Sequence, residues 1–425
     1  MSSKTETLFI SAVLRQEDHK TPVLAGVHPR WFATHADEWD WINRYIDRHR
    51  KCPSKALFRS KFPDFQIVQS DDVEYTLAEL RDEYLRRSLV ARVDEVLDSI
   101  KDDKKIEDVM DGLQKSIVDL QADCYGNSNE SDVLDDWESI YNEVSRRHER
   151  AIERGLSGIP TGFDTLDLIT NGPQEGDYWI VAARLGQGKT WTLIRMAATA
   201  VYRGFTVQYD ALEQTRAQIA MRSHAFLSAN ETRHGFKSSA LMNGRDFDLL
   251  AYKKFLKELK EGTTGRLIVN DTSRGRVSPS TIAAQIERNK PDIVFVDYLT
   301  LMNSQAGDWQ AIAGLSAELK GIAMRYGVPI VAAAQINRMA IGSDVPGAEH
   351  LAGADAIGQD ADCVVTMKQM SRHIIKMKLA KYRHGSDGQE WFNEFRPNTG
   401  CFKEVSGDSA QDIMAEDKLE AMDDG

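Results

Sequence analysis

The sequence predicts an α/β domain with a mainly parallel sheet, preceded by a smaller all-α N-terminal domain. Three observations point there. Apolar residues recur at helical spacing through residues 1–120. From about Gly158 onward, short β-rich apolar runs alternate with helical patterns. One of these runs leads straight into a glycine-rich loop that opens a helix.

The chain has 425 residues, which at roughly 150 residues per domain gives two or three domains. It is 42% hydrophobic and 28% charged, a balance that excludes a collagen-like or wholly disordered chain. The net charge is −12, from 53 basic and 65 acidic residues. Residues 404–425 hold eight acids and one lysine, net −7, so the other residues carry −5. That excludes a uniformly basic surface but leaves room for a local basic channel facing nucleic acid. No run of about 18 apolar residues is present, so no membrane-spanning helix and no membrane partner are expected. The N-terminus has too short an apolar core for a signal peptide. Cys52, Cys124, Cys363 and Cys401 are scattered, with no C-x-x-C pair. This disfavours a disulfide framework or zinc site and suits a reducing, cytoplasmic setting.

In chain order, helices are expected over Thr7–Leu14, Trp39–Ile46 and the long amphipathic stretch Tyr75–Ile100. They read as a packed helical domain, residues 1–120, without a catalytic constellation. Residues 121–155 form a linker: Cys124–Val133 is polar and turn-rich, and Leu134–Arg154 reads as a helix of mixed charge. The α/β domain covers residues 156–403. Its strands are expected over Tyr178–Ala182, Thr206–Asp210, Arg266–Val269, Ile293–Asp297, Pro329–Ala334, Cys363–Met367 and Ile374–Leu379. Residues 404–425 are acidic and poor in large apolar side chains, so a disordered tail is expected.

The first strand feeds Ala183-Arg184-Leu185-Gly186-Gln187-Gly188-Lys189-Thr190 and then a helical run. This is the order of a phosphate-binding loop. Gly186 and Gly188 let backbone N–H groups approach phosphate oxygens, and the helix N-terminus adds partial positive charge. Lys189 would reach the β- and γ-phosphates of ATP, and the Thr190 hydroxyl would bind Mg²⁺. Ala183 stands where such loops usually begin with glycine. Asp297 ends an apolar strand at the sheet edge where ligands sit, placed to hold the Mg²⁺ water shell. Glu213 lies just beyond another strand, as a base for water activation should. Gln335 ends a further strand, in position to sense the γ-phosphate.

Together these segments resemble the DnaB-like family of hexameric replicative DNA helicases, with a RecA-like motor domain. The likeness runs from about Ser157 to Asp387. GIPTGFDTLDLITNG resembles the family's opening segment, and IVAARLGQGKT its phosphate loop, alanine included. LEQTRAQIAMR resembles its second motif, implying Glu213 as base and Arg222 near the nucleotide. IVFVDYLTLM is close to its Walker B strand, VPIVAAAQINR to its sensor motif, and AIGQDAD to the segment after its DNA-facing loop. Lys381-Tyr382-Arg383-His384-Gly385 is similar to its lysine–arginine pair. The resemblance implies that Arg383 is an arginine finger in a neighbour's ATP site and that Lys381 contacts the γ-phosphate there. The first 120 residues resemble its N-terminal collar domain at pattern level, implying primase and a helicase loader as partners. The helix Leu134–Arg154 would then dock on the adjacent subunit.

The DNA-facing loop departs from the family. Gly347–Asp355 contains no lysine or arginine, and Met302–Gln310 is short and lacks positive charge. Arg274, Arg276 and Arg338 are the candidate DNA contacts. The expected function is an ATP-driven ring that moves 5′ to 3′ on single-stranded DNA and separates the duplex. A RecA-like recombinase or regulatory ring ATPase, without strand separation, is the alternative. A non-catalytic loader fits less well, because Gly188-Lys189-Thr190, Glu213 and Asp297 are intact.

Overall fold

The computed structural model describes residues 2–102 except 50 and 71, scattered positions among 106–117, and residues 134–423. Within the last span, residues 135, 136, 231, 233, 275, 276, 300–308, 337–344 and 346–357 lie outside the description. The chain divides into two compact units, Met1–Tyr141 and Asn142–Gly425.

The first unit is helical. Its helices include Ser2–Gln16, Ala36–His49 and Val73–Lys101. Their core holds Phe9, Ile10, Trp31, Trp39, Ile42, Phe58, Leu77 and Leu80. Buried Glu6 accepts the backbone N–H groups of Ala33, Thr34 and His35. The carboxylate thereby satisfies donors just before the helix Ala36–His49, where a helix leaves them without partners. Trp39 Nε1 donates to the Val27 carbonyl at 2.9 Å. The long helix buries Val73, Leu77, Leu80 and Tyr84. Beyond Tyr84 its apolar side chains Leu89, Val90, Val93 and Leu97 are exposed. The expected apolar face is therefore covered only over its first half within this unit.

Among the described residues of the second unit, nine strands form one sheet. They are β1 (Tyr178–Ala183), β2 (Thr206–Ala211), β3 (Arg266–Asp271), β4 (Ile293–Asp297), β5 (Ile330–Gln335), β6 (Cys363–Gln369), β7 (Ile374–Tyr382), β8 (Glu390–Arg396) and β9 (Cys401–Val405). Their order is β3-β2-β4-β5-β1-β6-β7-β8-β9. The first six in this order pair in parallel, and β7, β8 and β9 continue the sheet antiparallel. β1 and β4 are buried along their whole length. That is why they read as unbroken apolar runs: a parallel strand covered on both faces has no polar side. Along β1, Trp179, Val181 and Ala183 join a core with the helices Lys189–Tyr202 and Arg216–Asn230. Tyr178, Ile180 and Ala182 join the opposite core with the helices Pro279–Asn289 and Trp309–Tyr326.

Each predicted run is a strand, with its ends slightly shifted. β8 and β9 are additional. β8 buries Trp391, Asn393 and Phe395 on alternate positions, the period of two expected of an antiparallel strand. Buried Asn393 interrupts its apolar row.

The expected disordered tail is corrected. Glu404 lies in β9, and Gly407–Asp423 is a helix. The acids that suggested disorder are used as acceptors. Glu404 takes the backbone N–H and hydroxyl of Thr165. Asp417 accepts from Ser371, from the His373 backbone N–H and from its ring. Ala410 is fully buried. Paired carboxylates and the buried Ala410 help dock a helix that composition alone leaves unfolded. The linker stretch Cys124–Val133 lies outside the described residues, whereas Trp137–Arg154 is a helix.

Candidate active site

The site grows from the carboxyl ends of the parallel strands. β1 ends at Ala183, and the loop that follows delivers the helix Lys189–Tyr202. Gly186 and Gly188 both have positive φ, 77° and 91°. At Gly188 the backbone disfavours a side chain, and the space is tight. A Cβ there would lie 3.3 Å from Ile375 Cδ1 and from Phe395 Cζ. Gly188 is also the N-cap of the helix, so the helix's first free N–H groups open into the loop.

Lys189 lies inside this cradle. Its ammonium donates to the carbonyls of Ala183 at 3.1 Å and Arg184 at 3.3 Å. Burial lowers its pKa, and the charges of Asp297 and Glu213 oppose that shift. Asp297, 2% exposed at the end of β4, accepts from the Tyr209 hydroxyl at 2.9 Å, with the Thr190 hydroxyl nearby. Burial raises its pKa, while the Tyr209 hydroxyl and the nearby Thr190 hydroxyl oppose that shift.

β2 pairs with β4 so that Ala211 faces Asp297. Glu213, two residues on and exposed, therefore sits beside the same carboxylate. The Leu212 backbone N–H donates to the Asp297 carbonyl at 2.8 Å and locks that corner. β5 pairs with β1 so that Gln335 faces Ala183, which places Gln335 next to the loop. Arg222, on the helix Arg216–Asn230, stacks 5.6 Å from the Trp191 ring. Burial lowers its pKa against the fields of Tyr209, Asp297 and Glu213. One sheet edge thus gathers Gly186, Gln187, Gly188, Lys189, Thr190, Glu213, Arg222, Asp297 and Gln335.

Lys381 and Arg383 lie at the other edge. β7 runs antiparallel to β6, and Lys381 pairs with Val364 near the start of β6. β6 is in turn parallel to β1, with Cys363 opposite Trp179. The pair is therefore a strand length from its own phosphate loop: the six residues of β1 at about 3.3 Å each, roughly 20 Å. Arg383 pairs with Asp362 at 3.0 Å and donates to the Gln359 carbonyl. Lys381 donates to the carbonyls of Gly358 and Gln359. Buried Asp362 also takes Lys320 Nζ at 2.6 Å and the Tyr178 backbone N–H at 2.8 Å. Beside it is a cavity of about 600 Å³ lined by Arg147, Asp177, Lys320, Asp362, Arg383 and His384, among others.

Of the candidate DNA contacts, Arg276 and Arg338 lie outside the described residues, as does Gly347–Asp355. Arg274 ends a short 3₁₀ turn directly after β3. Tyr209, Asp362 and Lys320 were not singled out by the sequence. The only signal for Tyr209 was an aromatic hydroxyl in an apolar strand, since a buried phenol needs a partner.

The residues present fit a nucleotide with a divalent cation. A glycine-shaped loop opens at a helix N-terminus, and its lysine faces two carboxylates. The neighbouring Thr190 hydroxyl and Asp297 carboxylate offer hard oxygen donors of the kind Mg²⁺ prefers.

Fold and site together define a RecA-like, nucleotide-binding P-loop ATPase. The family model of the DnaB-like helicase C terminal domain matches residues 158–404. That is more than half of the 425 residues, and the chain belongs to this family. The chain is 27% identical over 346 residues to the replicative DNA helicase DnaB of Helicobacter pylori, covering 74% of this chain and 67% of the relative. It is 26% identical over 345 residues to the replicative DNA helicase DnaC of Bacillus subtilis, covering 76% and 73%. A solved DnaB-like replicative helicase, studied with its interactions with primase, aligns with a TM-score of 0.56 at 16% identity. It covers 95% of this chain and 100% of its own. A second solved structure, of an ATPase domain, aligns with a TM-score of 0.54 at 21% identity over 65% of this chain and 100% of its own. These two structures bear on the fold.

Proposed function

We propose that this chain is one subunit of a ring-shaped replicative DNA helicase that hydrolyses ATP to move along single-stranded DNA and part the duplex. The observation that carries the ring is the separation of the two charged groups. Lys189 and Asp297 stand at one edge of the sheet, and Lys381 and Arg383 at the other. Roughly 20 Å of strand keeps Arg383 from its own phosphate loop, so it serves a neighbouring copy. A closed ring, by the family's habit a hexamer, gives every loop such a neighbour.

In this reading the loop from Gly186 to Thr190 holds the phosphates with backbone N–H groups, and Lys189 carries the balancing charge. Thr190 and Asp297 would hold Mg²⁺, which neutralises phosphate charge when bound. Glu213 orients the attacking water and takes its proton. Arg222 faces the same corner, and Gln335 reports the state of the γ-phosphate to the sheet. Arg383 and Lys381 of the next copy stabilise the charge that develops in the transition state. Contacts to a strand's phosphates, with Arg274, Arg276 and Arg338 as candidates, suit a motor indifferent to sequence. Movement runs 5′ to 3′ on the encircled strand. The N-terminal helical unit meets a primase-type partner and a loader. A motor acting on replicating DNA works in the cytoplasm. Among the described residues no helix is long and apolar enough to cross a membrane.

The test is sizing with Mg²⁺ and nucleotide, ATP turnover with and without single-stranded DNA, and unwinding of a forked duplex. A ring with DNA-stimulated turnover and strand displacement is expected. Turnover without displacement would point to a recombinase or regulatory ring instead. A monomer without turnover would overturn the motor reading.

A further inference from the structure

Tyr209 is the middle of β2 and has no exposed surface. β2 and β4 pair in parallel with Tyr209 opposite Phe295. Asp297, two residues past Phe295, therefore lies diagonally across on the same face of the sheet, within reach of a long aromatic side chain. The Tyr209 hydroxyl reaches that carboxylate and donates to Oδ2 at 2.9 Å. The phenol has little freedom to turn away, because its ring stacks on Phe295 at 6.1 Å and 22°. A phenylalanine would give the core the same apolar packing without placing a polar atom in it. Burying a hydroxyl is unfavourable unless it is bonded. The partner it has is the carboxylate that ends β4 at the nucleotide corner, close to Thr190.

We propose that Tyr209 is a positioning residue for the divalent-cation site: its hydroxyl fixes the orientation in which the Asp297 carboxylate faces a cation beside Thr190. The inference rests on the reading of Thr190 and Asp297 as the Mg²⁺-holding pair. The Tyr209 bond, running from β2 to β4, sets the plane of the carboxylate. Without the hydroxyl, the carboxylate keeps its charge and place in β4 but loses its 2.9 Å bond to the Tyr209 hydroxyl. Partners that orient a metal ligand in this way typically change metal affinity 10- to 100-fold when removed. Tyr209 touches neither nucleotide nor metal in this scheme and acts only through Asp297.

The experiment uses the full chain and its Tyr209→Phe variant, with Mn²⁺ as an EPR-visible probe in the presence of ADP. Free Mn²⁺ is titrated, and binding of a fluorescent ADP analogue is measured separately in EDTA. The expected result is a Mn²⁺ dissociation constant raised roughly 10-fold, with metal-free ADP binding unchanged. In turnover, the Mg²⁺ concentration at half-maximal rate rises by a similar factor, and saturating Mg²⁺ restores most of the rate. Unchanged Mn²⁺ affinity in the folded variant overturns the proposal. If Tyr209→Phe does not fold, Tyr209→Met fills the space flexibly without a hydroxyl and carries the same expectation. Asp297→Asn separates the two readings. If it leaves Mn²⁺ affinity intact, the metal site itself is misplaced; if it abolishes binding while Tyr209→Phe does not weaken it, only the role of Tyr209 falls.

Discussion

The two edges of the sheet use charge in opposite ways. At the carboxyl edge, Lys189 donates to carbonyls of its own loop and lies in the field of Asp297 and Glu213 without a direct ion pair to either among the described residues. At the amino edge, Arg383 and Lys320 both pair with one buried carboxylate, Asp362. The first arrangement leaves a cation partly desolvated and ready for an anionic ligand. The second leaves a cation already satisfied, which must exchange partners before it can act elsewhere. A weakly held backbone contact is easily given up to a phosphate, whereas a charge-assisted bond to a buried carboxylate is among the stronger interactions available. The loop edge is thus poised to bind alone, and the other edge needs a neighbour that offers more charge than Asp362.

The largest effect should come from the loop edge. Lys189→Ala should abolish ATP turnover, measured by phosphate release with saturating DNA. Residual wild-type turnover would break the comparison at its root. Arg383→Ala should leave nucleotide binding by the single subunit intact and lower turnover on the order of 10³-fold. Mixing it with Glu213→Ala protein should restore part of the rate, because some interfaces then combine an intact base with an intact arginine. No recovery at any mixing ratio would place Arg383 outside the reaction.

Two smaller effects mark what belongs to neither edge. His224 bonds the Tyr252 hydroxyl at 2.7 Å, and burial lowers its pKa from 6.5 to about 4. The folded chain therefore prefers the neutral ring. The associated stability is complete above pH 6.5 and is lost as the pH falls through 4, by roughly 3 kcal/mol across the window. His224→Gln should flatten the fall in melting temperature between pH 7 and 4.5. An unchanged slope would exclude this histidine as its cause. Asp417→Ala should strip the C-terminal helix of its bonds to Ser371 and His373, costing about 2 kcal/mol with metal-dependent nucleotide binding unaltered. Thermal melts and nucleotide titrations of that variant check both halves. A loss of nucleotide binding would tie this helix to the site after all.

Much of the ATP corner was legible in the sequence because its chemistry is local. Gly186 and Gly188 must be glycine for backbone reasons, Lys189 and Thr190 follow on the same turn, and Asp297 closes an apolar run. β1 and β4 announced themselves by unbroken apolar stretches, and the other strands up to β7 by shorter β-rich runs between helical patterns. β8 did not, since its alternation is interrupted by Asn393. The tail was misread for a related reason: composition counts the acids of residues 404–425 but not the donors, Thr165, Ser371 and His373, that wait for them elsewhere in the chain. Tyr209 was passed over because a tyrosine among apolar neighbours looks like packing until its hydroxyl is seen to meet Asp297.

The sequence by itself determined the local devices: the phosphate loop, the strands covered on both faces, and the identities of the charged residues near the nucleotide. Each depends on contacts between residues close along the chain or on a repeating pattern. The tertiary structure alone decided which of them share an edge. Strand order puts Ala211 beside Asp297 and Gln335 beside Ala183, and strand direction sends Lys381 and Arg383 to the far side. Those relations join residues tens to hundreds of positions apart. They are set by how the strands pair and how the two hydrophobic faces pack, which no short stretch of sequence contains.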